Sequence, residues 1–173
     1  MRRRFLPIRT LRCDQSGSAA VEFALWAVLV FFAFLPILDF ADYLVEQQQL
    51  SSAVADAALV AYNQRNATTL DTSQLTTFVT GASGLGSGNV STSLICNGGS
   101  QDCGTSANAR TCSCVSGSPA TYTATAMCGS TCASGTPSGF YLTVQATHTH
   151  SSMVLNPLLN GKVITMSTSV RLQ

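Results

Sequence analysis

The segment Gly17-Ser18-Ala19-Ala20-Val21-Glu22-Phe23 sets an ionisable side chain at the threshold of a strongly apolar run. An acid inside a membrane helix costs about 2.5–3.5 kcal/mol on insertion scales, so its presence there argues for a partner and a role. A cut after Gly17 would provide that partner, because it leaves a free amine on Ser18 with Glu22 five residues into the new chain. In a stack of such helices, Glu22 of one subunit pairs with the terminal amine of its neighbour. That pairing offsets the burial and sets the axial register between subunits.

Two other groups of residues carry chemistry. Six of the seven cysteines (Cys96, Cys103, Cys112, Cys114, Cys128 and Cys132) fall in one 37-residue stretch, whereas Cys13 lies near the N-terminus. Clustered cysteines of this kind read as up to three disulfides made in an oxidising compartment, and 15 pairings are open. Cys112 and Cys114 share one face of a strand, so each finds its partner elsewhere. Neither Cys112-Thr-Cys114 nor Cys128-x3-Cys132 has the paired spacing of a strong zinc site. His148 and His150 also share a strand face, a spacing able to chelate a metal, but no acid lies near them in sequence. They continue the register of Phe140, Leu142 and Val144, which favours partly buried or interface histidines. With no Gly-x-Ser-x-Gly elbow and only these two histidines, a hydrolase is disfavoured. The expectation is a non-enzymatic protein with no cofactor, no bound metal and no small-molecule substrate.

The elements that position these residues follow from charge and periodicity. Met1–Gly17 holds five arginines (Arg2, Arg3, Arg4, Arg9, Arg12) and one acid; the remainder holds four basic against seven acidic residues. A basic stub before an apolar run stays in the cytoplasm and sends the rest outward. No later basic patch supports a nucleic-acid partner. The uninterrupted apolar run Phe23–Leu38 would span about 24 Å as helix, against a hydrocarbon core of about 30 Å. Pro36 near its outer end is expected to kink it. Beyond Asp39, the recurrence of Phe40, Tyr43, Leu44, Gln47, Leu50, Val54, Ala58 and Tyr62 marks one amphipathic face.

The expected organisation is a basic leader over 1–17, a long helix over 18–65, a short helix and glycine-rich link over 66–88, and a disulfide-rich β-domain over 89–173. Asp71 or Ser73 caps the short helix, which runs to about Thr80. Its Gly81, Gly84, Gly86 and Gly88 are not a phosphate loop, since no strand precedes them and no Lys-Ser/Thr follows. Alternation predicts strands at Val90–Cys96, Thr111–Val115, Thr121–Met127, Phe140–Ser151 and Val163–Leu172. The last two are joined by an Asn156-Pro157…Asn160-Gly161 turn. The fold class is α+β, a long membrane-spanning helix with a small antiparallel sheet packed on its outer half.

Gly17 followed by Glu22 and Phe23 resembles the processing site of type IVb, Flp-type prepilins. The wider segment Ser16–Leu25, with Ile37…Asp39-Phe40, Gln47-Gln48-Gln49-Leu50 and Ala53…Ala57-Ala58, is similar to the TadE-like family of tight-adherence pilus proteins. The strand–turn–strand ending Tyr141–Arg171 resembles that family more loosely. The resemblance implies cleavage after Gly17 by a prepilin peptidase, with Gly17 and Ser18 flanking the cut and Phe23 completing the recognised motif. It further implies a minor pilin in the bacterial inner membrane, with its N-terminus cytoplasmic and its C-terminal domain periplasmic until it joins the pilus. Its partners would be the peptidase, other pilus subunits and minor pilins, and the inner-membrane assembly platform, in a system serving adhesion and biofilm formation. Two blander readings are open. One is a disulfide-rich periplasmic adaptor on a plain membrane anchor, and the other is a secreted domain whose signal peptide is the apolar run.

Overall fold

A computed structural model of the chain describes residues 16–86, 88–99, 102–106, 109–125, 127–153 and 159–173. The basic leader to residue 15, Cys13, and the Asn156-Pro157 half of the turn before the last strand lie outside the described residues. Helix α1 (Ser16–Asn63) has 48 residues and runs through Pro36. At about 1.5 Å per residue it is roughly 72 Å long. Proline has no N–H to give the carbonyl one turn earlier, a loss that membrane-embedded helices tolerate better than most. The helix stops where Gln64-Arg65-Asn66 turns away. There the Arg65 guanidinium donates to the Tyr62 carbonyl at 3.1 Å and lies 4.2 Å over the Tyr62 ring, satisfying one of the last open carbonyls.

Helix α2 (Thr72–Ala82) begins at an Asp71 cap, whose carboxylate accepts from the Gln74 amide at 2.9 Å and the Ser73 hydroxyl at 2.8 Å. Of the two expected caps, the structure thus uses Asp71, and Ser73 braces it. Leu75 and Val79, one turn apart, are the buried face of α2.

Five strands follow: β1 (Val90–Cys96), β2 (Cys112–Ser116), β3 (Thr121–Thr125), β4 (Tyr141–Thr149) and β5 (Val163–Arg171). They form two antiparallel sheets rather than one: β1-β4-β5 with β4 central, and a separate β2-β3 hairpin. The hairpin stays apart, and no residue of Thr121–Thr125 is buried. It is moored instead by reciprocal Ser113–Gly139 backbone hydrogen bonds of 2.8 and 3.1 Å and by disulfides. The pairs are Cys96–Cys103, Cys112–Cys128 and Cys114–Cys132, with Cα atoms 5.3, 5.0 and 5.7 Å apart. As the strand geometry required, Cys112 and Cys114 do not pair with each other.

Buried Asn97 joins the two sheets. It adopts φ 48°, and its side chain donates to the Thr111 carbonyl at 2.8 Å while accepting from the Tyr141 amide at 3.0 Å. Next to it, Gly98 sits at φ 72° so close to the Tyr122 ring that a Cβ would lie 2.6 Å from a ring carbon. Only glycine fits that approach.

The core lies between the three-stranded sheet and α1. Phe140, Leu142, Val144 and Ala146 alternate inward, as expected, and meet Leu50, Ala53, Val54, Ala57 and Ala61. Alanines at 53, 57 and 61 recur every four residues and let the sheet approach the helix axis closely. The buried stripe of α1 is rotated from the expected one. It runs through Asp39, Leu50, Ala53, Val54, Ala57, Ala58 and Ala61, whereas Phe40, Leu44 and Tyr62 are 51%, 41% and 42% exposed. The sheet chose the small side chains, because large ones on that face would hold it off.

Two outcomes test this packing. Phe140→Ala should cost about 3–5 kcal/mol, read as a lower denaturant midpoint of the detergent-solubilised chain. Hydrogen bonds from the Gln74 amide and Ser73 hydroxyl hold the Asp71 carboxyl below the usual carboxylate range. A depressed pKa gives stability that is present above the ordinary value and lost as pH falls through the folded one. Asp71→Ala should therefore lower the melting temperature at neutral pH, and the gap to wild type should close at strongly acidic pH.

Candidate functional site on the exposed helix and its collar

The first two turns of α1 carry Gly17, Ser18, Glu22 and Phe23, all exposed, with Phe23 at 76%. Ser18 and Glu22 are one turn apart and so lie on one face. Glu22 makes no hydrogen bond or ion pair among the described residues. From Gly17 to Leu38 only Ala27 and Leu35 are even half-covered. Trp26, Phe31, Phe32, Phe34 and Ile37 project at 56–72% exposure around the whole circumference. A helix apolar all round with no protein cover belongs in lipid or against other helices. Among the described residues this is the one helix long and apolar enough to cross a membrane, and it fits a membrane anchor.

Asp39 ends the bare segment. It is 1% exposed, accepting from the Ser152 hydroxyl at 2.5 Å and the Met153 amide at 2.9 Å. Glu22 and Asp39 are thus roughly 26 Å apart along the helix, close to the thickness of a hydrocarbon core. Above Asp39 the end of β4 wraps the helix as a collar. His150 donates from Nδ1 to Glu46 Oε2 at 2.6 Å, and its Nε2 lies 3.9 Å from Asp39 Oδ1. His148 Nε2 is 3.5 Å from the same Glu46 oxygen, and Tyr43 meets the His150 ring edge-on at 5.4 Å.

The histidines are more buried than expected, at 6% and 1% exposure. They also have acid neighbours, contrary to expectation, since Asp39 and Glu46 are more than a hundred residues away in sequence. Asp39, Tyr43, Glu46 and Leu50 follow one another at three- and four-residue steps, so the acids stand on the stripe that continues into the core. That placement was a visible signal, hidden by taking the phase of the helix from its largest side chains.

The site residues at the two ends of the bare helix are therefore not brought together within one chain. The motif around Glu22 lies at the base of the helix, while the folded domain begins at Asp39. The matched stretch spans both.

Residues 17–59 match the TadE-like protein family. The match covers about a quarter of the chain, from Gly17 through the alanine stripe. It associates the chain with the Tad pilus through a generally non-enzymatic family and implies contact with other pilus components. No curated protein and no solved structure matches the chain.

In a helix with this geometry the bare segment should partition into lipid. Phe31→Arg and Phe34→Arg together should shift the chain from the membrane to the soluble or degraded fraction, measured by carbonate extraction and fractionation. Leu59→Arg, on the exposed upper face, should leave it membrane-bound.

Proposed function

We propose that the chain is a minor pilin of a tight-adherence, type IVb pilus, cut after Gly17 by a prepilin peptidase and then engaged in pilus assembly. The observation that carries this reading is Glu22: a carboxylate without a partner among the described residues, five residues past Gly17, at the foot of a bare apolar helix. Processing creates the Ser18 amine, and helix stacking brings the Glu22 carboxylate of one subunit to the amine of the next. In a dry helix bundle a charge-assisted pair of this kind is much stronger than in water, whereas an unpaired Glu22 there would be costly. The Phe23 ring beside it gives the peptidase an apolar feature next to the acid.

Orientation follows from the arginine-rich leader. The leader remains cytoplasmic, the helix spans the inner membrane, and the domain folds in the periplasm, where its three disulfides can form. The exposed apolar side chains above the membrane, including Phe40, Leu44 and Leu59, are available for neighbouring pilus subunits and the assembly platform.

N-terminal sequencing and intact mass of the membrane-extracted protein test the reading. A start at Ser18, with six thiol hydrogens missing, supports it. A chain that retains the leader beside an active prepilin peptidase points to a simple anchored adaptor, and a cut near Asp39 points to a secreted domain. Glu22→Ala should insert normally yet fail to enter filaments; unchanged incorporation would remove the register role.

A further inference from the structure

We infer that the collar is a binding site for one divalent cation of the zinc class, with Asp42, Glu46, His148 and His150 as ligands and Asp39 behind them. Ligand atoms of Asp42, Glu46 and His150 lie within 4.8 Å of one another. His148 stands beside this group, with its Nε2 3.5 Å from Glu46 Oε2. Asp42 and Glu46 are one helical turn apart, so their carboxylates lie side by side. Two imidazoles and two carboxylates are a donor set suited to zinc and its neighbours rather than to calcium or magnesium.

For neutral rings, the hydrogen-bond partners of the two histidines dictate tautomers that suit a metal. His148 Nδ1 is 2.9 Å from the Asn89 carbonyl, which only accepts, so Nδ1 carries the proton. In the neutral ring Nε2 then aims a lone pair at the Glu46 carboxylate, acceptor against acceptor. A metal-binding histidine characteristically has this arrangement, with one nitrogen held by a backbone carbonyl and the other free to coordinate. His150 presents the complementary problem. With its Nδ1 proton given to Glu46, the fully buried Nε2 has no hydrogen-bond partner. Moving Nδ1 onto a cation transfers the proton to Nε2, which then faces Asp39 Oδ1, 3.9 Å away. One cation thus removes both mismatches of the neutral rings and leaves the His150 N–H facing Asp39.

Metal geometry is reached by moving the two partly exposed carboxylates. In a tetrahedral site with bonds of about 2.0–2.1 Å, ligand atoms stand roughly 3.3 Å apart. The 3.5 Å His148–Glu46 separation already fits, and the 2.6 Å His150–Glu46 contact opens by a small turn of the partly exposed Glu46. Asp42, also partly exposed, swings in from the solvent side. The bound ion would clamp the end of β4 to the helix just above the membrane and fix the angle of the domain on its shaft.

The test is Zn²⁺ titration of the full chain in detergent, after chelator treatment and in a Cys13→Ser background, followed by calorimetry and thermal melting. Expected are one equivalent bound and a rise in melting temperature of at least about 5 °C. Co²⁺ should give the visible bands of a four-coordinate nitrogen–oxygen site. Asp42→Asn, at the solvent rim, should keep the fold and weaken affinity at least about tenfold, and His148→Gln should do the same. Asp56→Asn, on the exposed face, should bind as wild type. No saturable Zn²⁺ binding, or binding unchanged in both Asp42→Asn and His148→Gln, would overturn the site.

Discussion

A single helix that passes from lipid into water must change its surface along its length, and α1 does so at Asp39. Below that residue the helix is apolar on every side and bare. Above it only one stripe is apolar, and the sheet covers that stripe alone. The domain's placement therefore depends on the alanines at 53, 57 and 61. They make a shallow groove into which β4 can press Leu142, Val144 and Ala146, and the helix becomes one wall of the core. Larger side chains stand on the other faces, exposed in the single chain and free to meet neighbouring helices.

That core is small for the length of chain it organises. Apart from β4, the strands are short or rich in serine and threonine, and the hairpin β2-β3 contributes little apolar surface. Hydrophobic burial alone serves such a segment poorly, which explains the density of cross-links. Each disulfide closes a short loop, with sequence separations of 7, 16 and 18, and so restrains local excursions of the unfolded chain. Buried Asn97 supplements them by satisfying two backbone groups at the junction where the sheets meet. On the opposite side Arg110 is buried with its guanidinium 5.1 Å from the Phe140 ring, donating to the Arg65 carbonyl at 3.0 Å. Desolvation lowers its pKa, yet an arginine keeps its charge at any physiological pH.

At the rim nearest the membrane, the packing turns from apolar to ionisable. Continuing the β4 alternation puts His148 and His150 where further leucines might stand, and the helix answers with Glu46 and Asp39. Polar groups in this position tie the domain to the shaft with directional contacts. The apolar core above them resists separation but specifies rotation about the helix less tightly.

Much of this was written in local sequence. The two helices, a cap at Asp71 or Ser73 for the second, all five strands, the inward set on β4 and the basic-to-apolar transition each rest on spacing between near neighbours, and periodicity records that directly. The segment resembling TadE-like proteins is likewise local, since Gly17, Glu22 and Phe23 sit within seven residues. Three features depended on contacts between distant parts of the chain. The phase of the α1 stripe was set by how closely a sheet can approach alanine, which the largest side chains misreport. The disulfide pairing was set by how the hairpin and the following loop fold back on one another, since 15 pairings share the same spacing. The acid–histidine collar joins Asp39 and Glu46 to residues more than a hundred positions later. Its partners are neighbours only after β4 has laid itself along the helix, so no pattern read along the chain could bring them together.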